Sequence, residues 1–167
     1  IAGNGTVGLE IIEELPDVDA IVAPLGGGGL LSGIAAAVGE LKPSTRIYAA
    51  EPETAAPLAS SLAAGRPVYF DGWTASFVDG AGGRSVLATM WPLLAPLAGS
   101  IVVTLDEAAR AMALVAERSH IIAEGAAACA VAAALTGRAG SGKVVAVVSG
   151  GNIDLPTFAS LVGACPP

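Results

Sequence analysis

The sequence predicts an α/β fold, a mostly parallel open sheet with helices on both faces. Three observations predict it. The runs "DAIVAPL", "TRIYAAE" and "SIVVTL" are apolar almost throughout rather than alternating, as strands buried on both faces are. Between them lie stretches long enough for a helix and carrying helical apolar spacing, which suits parallel crossovers rather than hairpins. Glycines then cluster directly after two of the apolar runs, where a strand-to-helix turn has to bend.

Taken in order, the chain opens on "IAGNGT", starting at Ile1 rather than Met. This reads as a strand cut near its end and predicts further sequence upstream. "TVGLEIIEEL" places Val7, Ile11 and Leu15 on one helical face, with Thr6 as the N-cap and Pro16 just past the end. "DAIVAPL" is a strand, Gly26 to Gly29 a turn, and "LLSGIAAAVGEL" a helix closed by Lys42 and Pro43. "TRIYAAE" is the next strand, and "TAAPLASSLAAG" a helix ended by the Gly65 to Pro67 stretch. Residues 66–83 carry glycines, aromatics and aspartates without periodicity and read as a long loop. From Arg84 a helix containing Pro92 and Pro96 is expected, then the strand "SIVVTL" and a helix capped by Asp106 through "EAARAMALVAERS". "EGAAACAVAAALTG" is a further helix, and "KVVAVVSGGN" a buried strand ending in a second glycine pair. No repeat or linker interrupts the pattern, so residues 1–167 read as a single unit.

Composition limits what this unit does. Its 167 residues are 53% hydrophobic and 14% charged, enough for a substantial core and too apolar for disorder. The mean hydropathy is +0.68. A formal charge of −7 argues against nucleic acid and anionic membrane surfaces as partners, because phosphates would be repelled. "GAAACAVAAAL" is too short to span a bilayer and follows Glu124, and the start lacks the basic region of a signal peptide. Cys129 and Cys165 are too sparse for a disulfide framework and read as free thiols in a cytoplasmic protein.

The chemistry concentrates in the glycine turns. In open parallel sheets, ligands bind beyond the carboxyl ends of the strands, and both turns fall there. Gly26 to Gly29 lead into a helix whose unpaired N–H groups and positive dipole end suit an anion, most simply a phosphate. The Lys-Ser/Thr of a P-loop is missing, as is GxGxxG spacing, so a phosphate ligand other than ATP is the inference. A tight turn with no ligand is the structural alternative. In "VVSGGN", Ser149 can donate to or accept from a heteroaromatic nitrogen, or cap the following helix.

Taken together, "IAGNGTVGLEI", "VDAIVAPLGGGGLLSGIA", "KPSTRIYAAEPE", "VDG", "IIAEGAAACAVAAAL" and "VVSGGNIDL" resemble, in order and spacing, the carboxyl-terminal half of fold type II pyridoxal-phosphate (PLP) enzymes. Within that group the chain is most similar to the threonine/serine dehydratases and the related serine racemases. Cysteine synthases of the same fold carry threonines among the glycines of their phosphate loop and fit less well. The resemblance implies that Gly26, Gly27, Gly28 and Gly29, with the Leu30 amide, cradle the cofactor phosphate. It places Ser149 at the pyridine nitrogen and Gly80 against the edge of the ring. Glu124 would sit near the ring, or serve only as a carboxylate favoured at a helix start. It further implies β-elimination from L-threonine or L-serine to a 2-oxo acid and ammonia, in a homo-oligomer or paired with an amino-terminal half.

The chain also departs from the pattern. The Schiff-base lysine of such enzymes belongs to the amino-terminal half, and neither Lys42 nor Lys143, the only lysines, matches it. A divalent-cation site in similar enzymes uses the glutamate of AAEP, a carbonyl a turn later and an aspartate two residues on. Glu51 and Ala55 match, but Pro57 replaces the aspartate and removes one anionic ligand. His120 reads as a helix C-terminal residue, Trp73 as a loop anchor and Trp91 as a core or interface residue; Asp71 and Asp79 are assigned no chemistry. The competing readings are a non-catalytic module that binds a phosphate ligand or a partner, and a nucleotide-binding domain with Glu51 on a ribose.

Overall fold

The structure, a computed structural model, describes residues 1–164. Cys165, expected to be a free thiol, lies outside them. After a short 3-10 turn come α1 (Gly5–Glu14), β1 (Ala20–Pro24), α2 (Gly29–Leu41), β2 (Arg46–Pro52) and α3 (Pro57–Ala64). They are followed by α4 (Trp91–Leu94), β3 (Gly99–Val103), α5 (Leu105–Ser119), α6 (Gly125–Leu135), β4 (Val144–Ala146) and α7 (Leu155–Gly163). The strands form one sheet in the order β3-β2-β1-β4, and every pairing is parallel.

Strand alternation builds a core on each face. Ala20 and Val22 of β1 join Ala50, Ile101, Met112 and the alanines of α6 on one side. Ile21 and Ala23 join Leu31, Ile34, Val38, Ile47 and Leu58 on the other. All of β1 is buried, which is why its sequence shows no polar alternation. Val7, Ile11 and Leu15 pack on the second core, so the expected face of α1 is the one buried.

Several local expectations are corrected. Thr6 lies within α1, its hydroxyl donating to Gly3 O at 2.9 Å, and Asn4 is the N-cap. The helix expected from Arg84 is reduced to Trp91–Leu94, since Pro92 suits only a first turn and Pro96 follows at once. Arg84 instead closes the preceding loop, where Phe70 N donates to Arg84 O and Tyr69 bridges to Ser85. Trp73 anchors that loop, donating from Nε1 to Gly82 O at 2.8 Å beneath the Arg84 guanidinium, 3.8 Å from its ring centre. Trp91, at the start of α4, packs half-buried on the second core.

Thr104, not Asp106, caps α5: its hydroxyl accepts from Glu107 N while the Glu107 carboxylate accepts from Thr104 N. His120 closes that helix in a left-handed conformation, φ 56°. The strand expected over 143–152 is confined to Val144–Ala146 and is only half-buried. It pairs with β1 alone, at the edge of the sheet. One more bond, Val147 N to Val22 O, carries it toward the second glycine pair.

Candidate functional site

Both glycine turns emerge at the carboxyl ends of neighbouring strands, one after β1 and the other after β4. Leu25 N donates to Ala50 O, after which the chain turns through Gly26 and Gly27 into α2. Gly28 makes the corner with φ +89°, a conformation that strains any residue bearing a Cβ. Gly26 is required for a different reason: a Cβ there would lie 2.6 Å from the carbonyl oxygen of Gly80. At Gly27 a Cβ would meet nothing within 4 Å. No side chain caps α2, so its first-turn N–H groups point unclaimed into this space.

That space is a cavity of about 200 Å³, lined by Gly26 to Gly29, Leu30, Gly80, Glu124 and Ser149, with Pro24 and Ala126. Residues drawn from four separate stretches of sequence thus meet, and they are the set singled out for a cofactor. The Ser149 hydroxyl is exposed and has no partner among the described residues. It lies five residues before Asp154, the N-cap of α7, so capping that helix is not its role.

Glu124 occupies the N-cap position of α6 without using its carboxylate as a cap. Instead Oε2 accepts from Asn152 N at 3.2 Å, and Glu124 N donates to Gly150 O at 3.1 Å. The two bonds tie the Ser149–Asn152 turn to the start of α6, which the helix-dipole reading of this residue did not anticipate. Glu124 also walls a neighbouring cavity of about 310 Å³, together with Asp79, Asn152 and Asp154. Asn152 ends the VVSGGN stretch, but only the approach of α6 gives it a partner in Glu124. Size does not single out the site. A cavity of about 360 Å³ lies at the opposite end of the sheet, around Thr45 to Ile47, and is lined by none of Gly26 to Leu30, Gly80, Glu124 or Ser149.

The lysines lie at that opposite end. Lys143 immediately precedes β4 and pairs with Asp17, before β1; Lys42 precedes β2 and donates to Pro16 O. Neither borders the glycine cavity.

Glu51 is fully buried at the end of β2. Oε1 accepts from Leu58 N at 2.8 Å, and Oε2 accepts from Ala59 N at 2.8 Å and from the Ser100 hydroxyl at 2.5 Å. Burial pushes its carboxyl above the usual range while these donors pull it back. Pro57 opens α3 and offers no oxygen from its side chain. Among the described residues, no group of three or more His, Cys, Asp or Glu could hold a metal ion. With the Glu51 carboxylate engaged by three protein donors and a proline at position 57, the donor set for the cation site implied at Glu51 and Ala55 is incomplete. Nor is Glu51 open to a ribose.

The family described as pyridoxal-phosphate dependent enzyme matches residues 1–150. The chain is 40% identical over 165 residues to an L-threonine ammonia-lyase of Geobacter sulfurreducens, covering 97% of the chain and 41% of that protein. It is 36% identical over 168 residues to the catabolic L-threonine dehydratase TdcB of Escherichia coli K12, covering 98% of the chain and 51% of the relative. Among solved structures, maize serine racemase superposes with a TM-score of 0.86 at 37% identity, over 95% of the chain and 51% of the racemase. The chain spans about half the length of the curated relatives it matches.

Proposed function

The chain belongs to the pyridoxal-phosphate dependent enzyme family, and we propose that it is the carboxyl-terminal part of the catalytic domain of a threonine/serine ammonia-lyase. The observation that carries this reading is the convergence of Gly26 to Gly29, Gly80, Glu124 and Ser149 on one cavity. The residues fit PLP: an uncapped helix start for the phosphate, open space beside Gly27, and a Ser149 hydroxyl with no partner among the described residues for the ring nitrogen. When bound, PLP supplies the electron sink for β-elimination, taking L-threonine or L-serine to a 2-oxo acid and ammonia.

The residues of this chain bind and orient. Main-chain amides of Gly26 to Gly29 and Leu30 would hold the phosphate at the positive end of α2. Ser149 would be a neutral partner for the ring nitrogen, without a full counter-charge, which suits elimination rather than chemistry that builds deeper carbanion character. Gly80 would let the backbone approach the ring edge. Glu124 holds the Ser149–Asn152 turn at its working position through Asn152 N and Gly150 O. The lysine that attaches the cofactor comes from an amino-terminal half, because Lys42 and Lys143 sit at the far end of the sheet. The outer edge of β4 and the exposed apolar side chains of Ile121, Ile122, Val148 and Leu155 are where that half packs, with homo-oligomer formation beyond it. A cytoplasmic setting goes with the sparse cysteines; no helix among the described residues is long and apolar enough to cross a membrane.

Two other readings each have an observation in their favour. Serine racemase-type activity is favoured by the likeness to the maize enzyme, and a non-catalytic phosphate-ligand or partner-binding module by the distance of both lysines from the cavity. Co-expression with a lysine-bearing amino-terminal half separates the three. The proposal expects 2-oxo acid and ammonia from L-threonine. D-serine from L-serine without 2-oxo acid would make it a racemase, and neither product a binding module.

A further inference from the structure

The buried carboxylate at the end of β2 has partners of its own that nothing in a cation site would require. Glu51 reaches from the sheet across the loop to the start of α3, where the second and third amides of that helix, Leu58 N and Ala59 N, both donate to it at 2.8 Å. These are the donors that an N-cap side chain ordinarily satisfies, yet the local cap residue, Ala56, has no side-chain acceptor. A third donor, the Ser100 hydroxyl, comes from the neighbouring strand at 2.5 Å. A carboxylate has about four lone-pair positions, and three are taken. A cation such as Mg²⁺ or Ca²⁺ needs about six oxygen ligands, and drawing Glu51 toward one would strip the buried Leu58 amide and the half-buried Ala59 amide of their acceptor. Pro57 can neither supply the missing oxygen nor donate an N–H, but its fixed φ is suited to the first helical position.

We propose that Glu51 is an internal clamp in this chain, in which the start of α3 and the Ser100 hydroxyl take the place of a divalent cation, so that the protein is indifferent to such ions at this position. The clamp joins three elements: β2 through Glu51, α3 through Leu58 and Ala59, and β3 through Ser100. Leu58 is itself fully buried in the core between α3 and the sheet, so the clamp sets how that helix docks. None of this depends on cofactor chemistry.

The test is thermal unfolding of the purified protein carrying this chain, in chelator and with millimolar Mg²⁺, Ca²⁺ or Mn²⁺, for the parent and for Glu51→Gln and Ser100→Ala. The parent midpoint is expected to be the same in chelator and in each ion. Glu51→Gln, which turns an amide donor against a backbone donor, should lower the midpoint in chelator by about 5–10 °C, and Ser100→Ala by about half as much. A saturable rise with any of the ions in the parent that is absent in Glu51→Gln overturns the proposal. So does a Glu51→Gln protein that melts like the parent. If Glu51→Gln does not fold, Ser100→Ala decides: an unchanged midpoint overturns the clamp, and a lowered, ion-independent midpoint supports it. The readout requires no turnover, so its failure is distinguishable from failure of the ammonia-lyase reading.

Discussion

Gly27 allows the phosphate cradle to be tested separately from the fold. A Cβ at Gly27 meets nothing within 4 Å, whereas at Gly26 it would sit 2.6 Å from Gly80 O and at Gly28 it would need φ +89°. Gly27→Asp is therefore expected to leave the unliganded protein close to its parent stability while placing a carboxylate on the cavity wall. At a separation of about 5 Å and an effective dielectric near 20, each unit of phosphate charge is opposed by about 3 kcal/mol. A phosphate of charge about −1.5 to −2 then loses about 4–6 kcal/mol, or roughly 10³–10⁴-fold in affinity. Gly26→Ala should behave in the opposite order. Relieving its clash with a backbone carbonyl costs the fold about 1–3 kcal/mol, visible with no ligand present. Titrating PLP into the protein assembled with its amino-terminal half gives the affinities, and melting of the unliganded proteins gives the stabilities. Parent-like PLP affinity in Gly27→Asp, or an unliganded Gly27→Asp protein destabilised as much as Gly26→Ala, would refute the cradle assignment.

Two further outcomes follow from the same geometry. Ser149→Ala should lower turnover of L-threonine by about 1–3 kcal/mol, roughly 5–150-fold, by leaving the ring nitrogen unpaired, with little change in melting because the hydroxyl has no partner among the described residues; full turnover would leave Ser149 without a role. Cys129 is fully buried and its thiol is pushed up to about 12, so at neutral or mildly alkaline pH, alkylation followed by peptide mapping should label it only in denaturant; native labelling at the rate of a free thiol would contradict that burial.

What the sequence made legible was whatever depends on neighbours along the chain. Unbroken apolar runs marked the buried strands, and glycines after two of them marked the rim where Gly26 to Gly29 and Ser149 meet. Elements set by competition between local signals were harder to read. Pro92 and Pro96 reduced a long expected helix to four residues, and the Thr104–Glu107 box outcompeted Asp106 as a cap. β4 is short because it is an edge, a property of sheet order that periodicity does not carry. Long-range partners were not legible at all. Glu51 reads in sequence as a match to a cation ligand, and only the approach of Ser100, 49 residues away, and the start of α3 shows its carboxylate already engaged. Glu124 likewise finds Asn152 across 28 residues.

Borohydride trapping tests the division of labour most directly. The protein assembled from this chain and a lysine-bearing amino-terminal half is loaded with PLP, reduced and mapped by peptide mass. The reduced cofactor is expected on a lysine of the amino-terminal half and on neither Lys42 nor Lys143, which lie at the end of the sheet opposite the glycine cavity. Reduced cofactor on Lys42 or Lys143, with turnover retained, would contradict it and make this chain an enzyme with its own lysine.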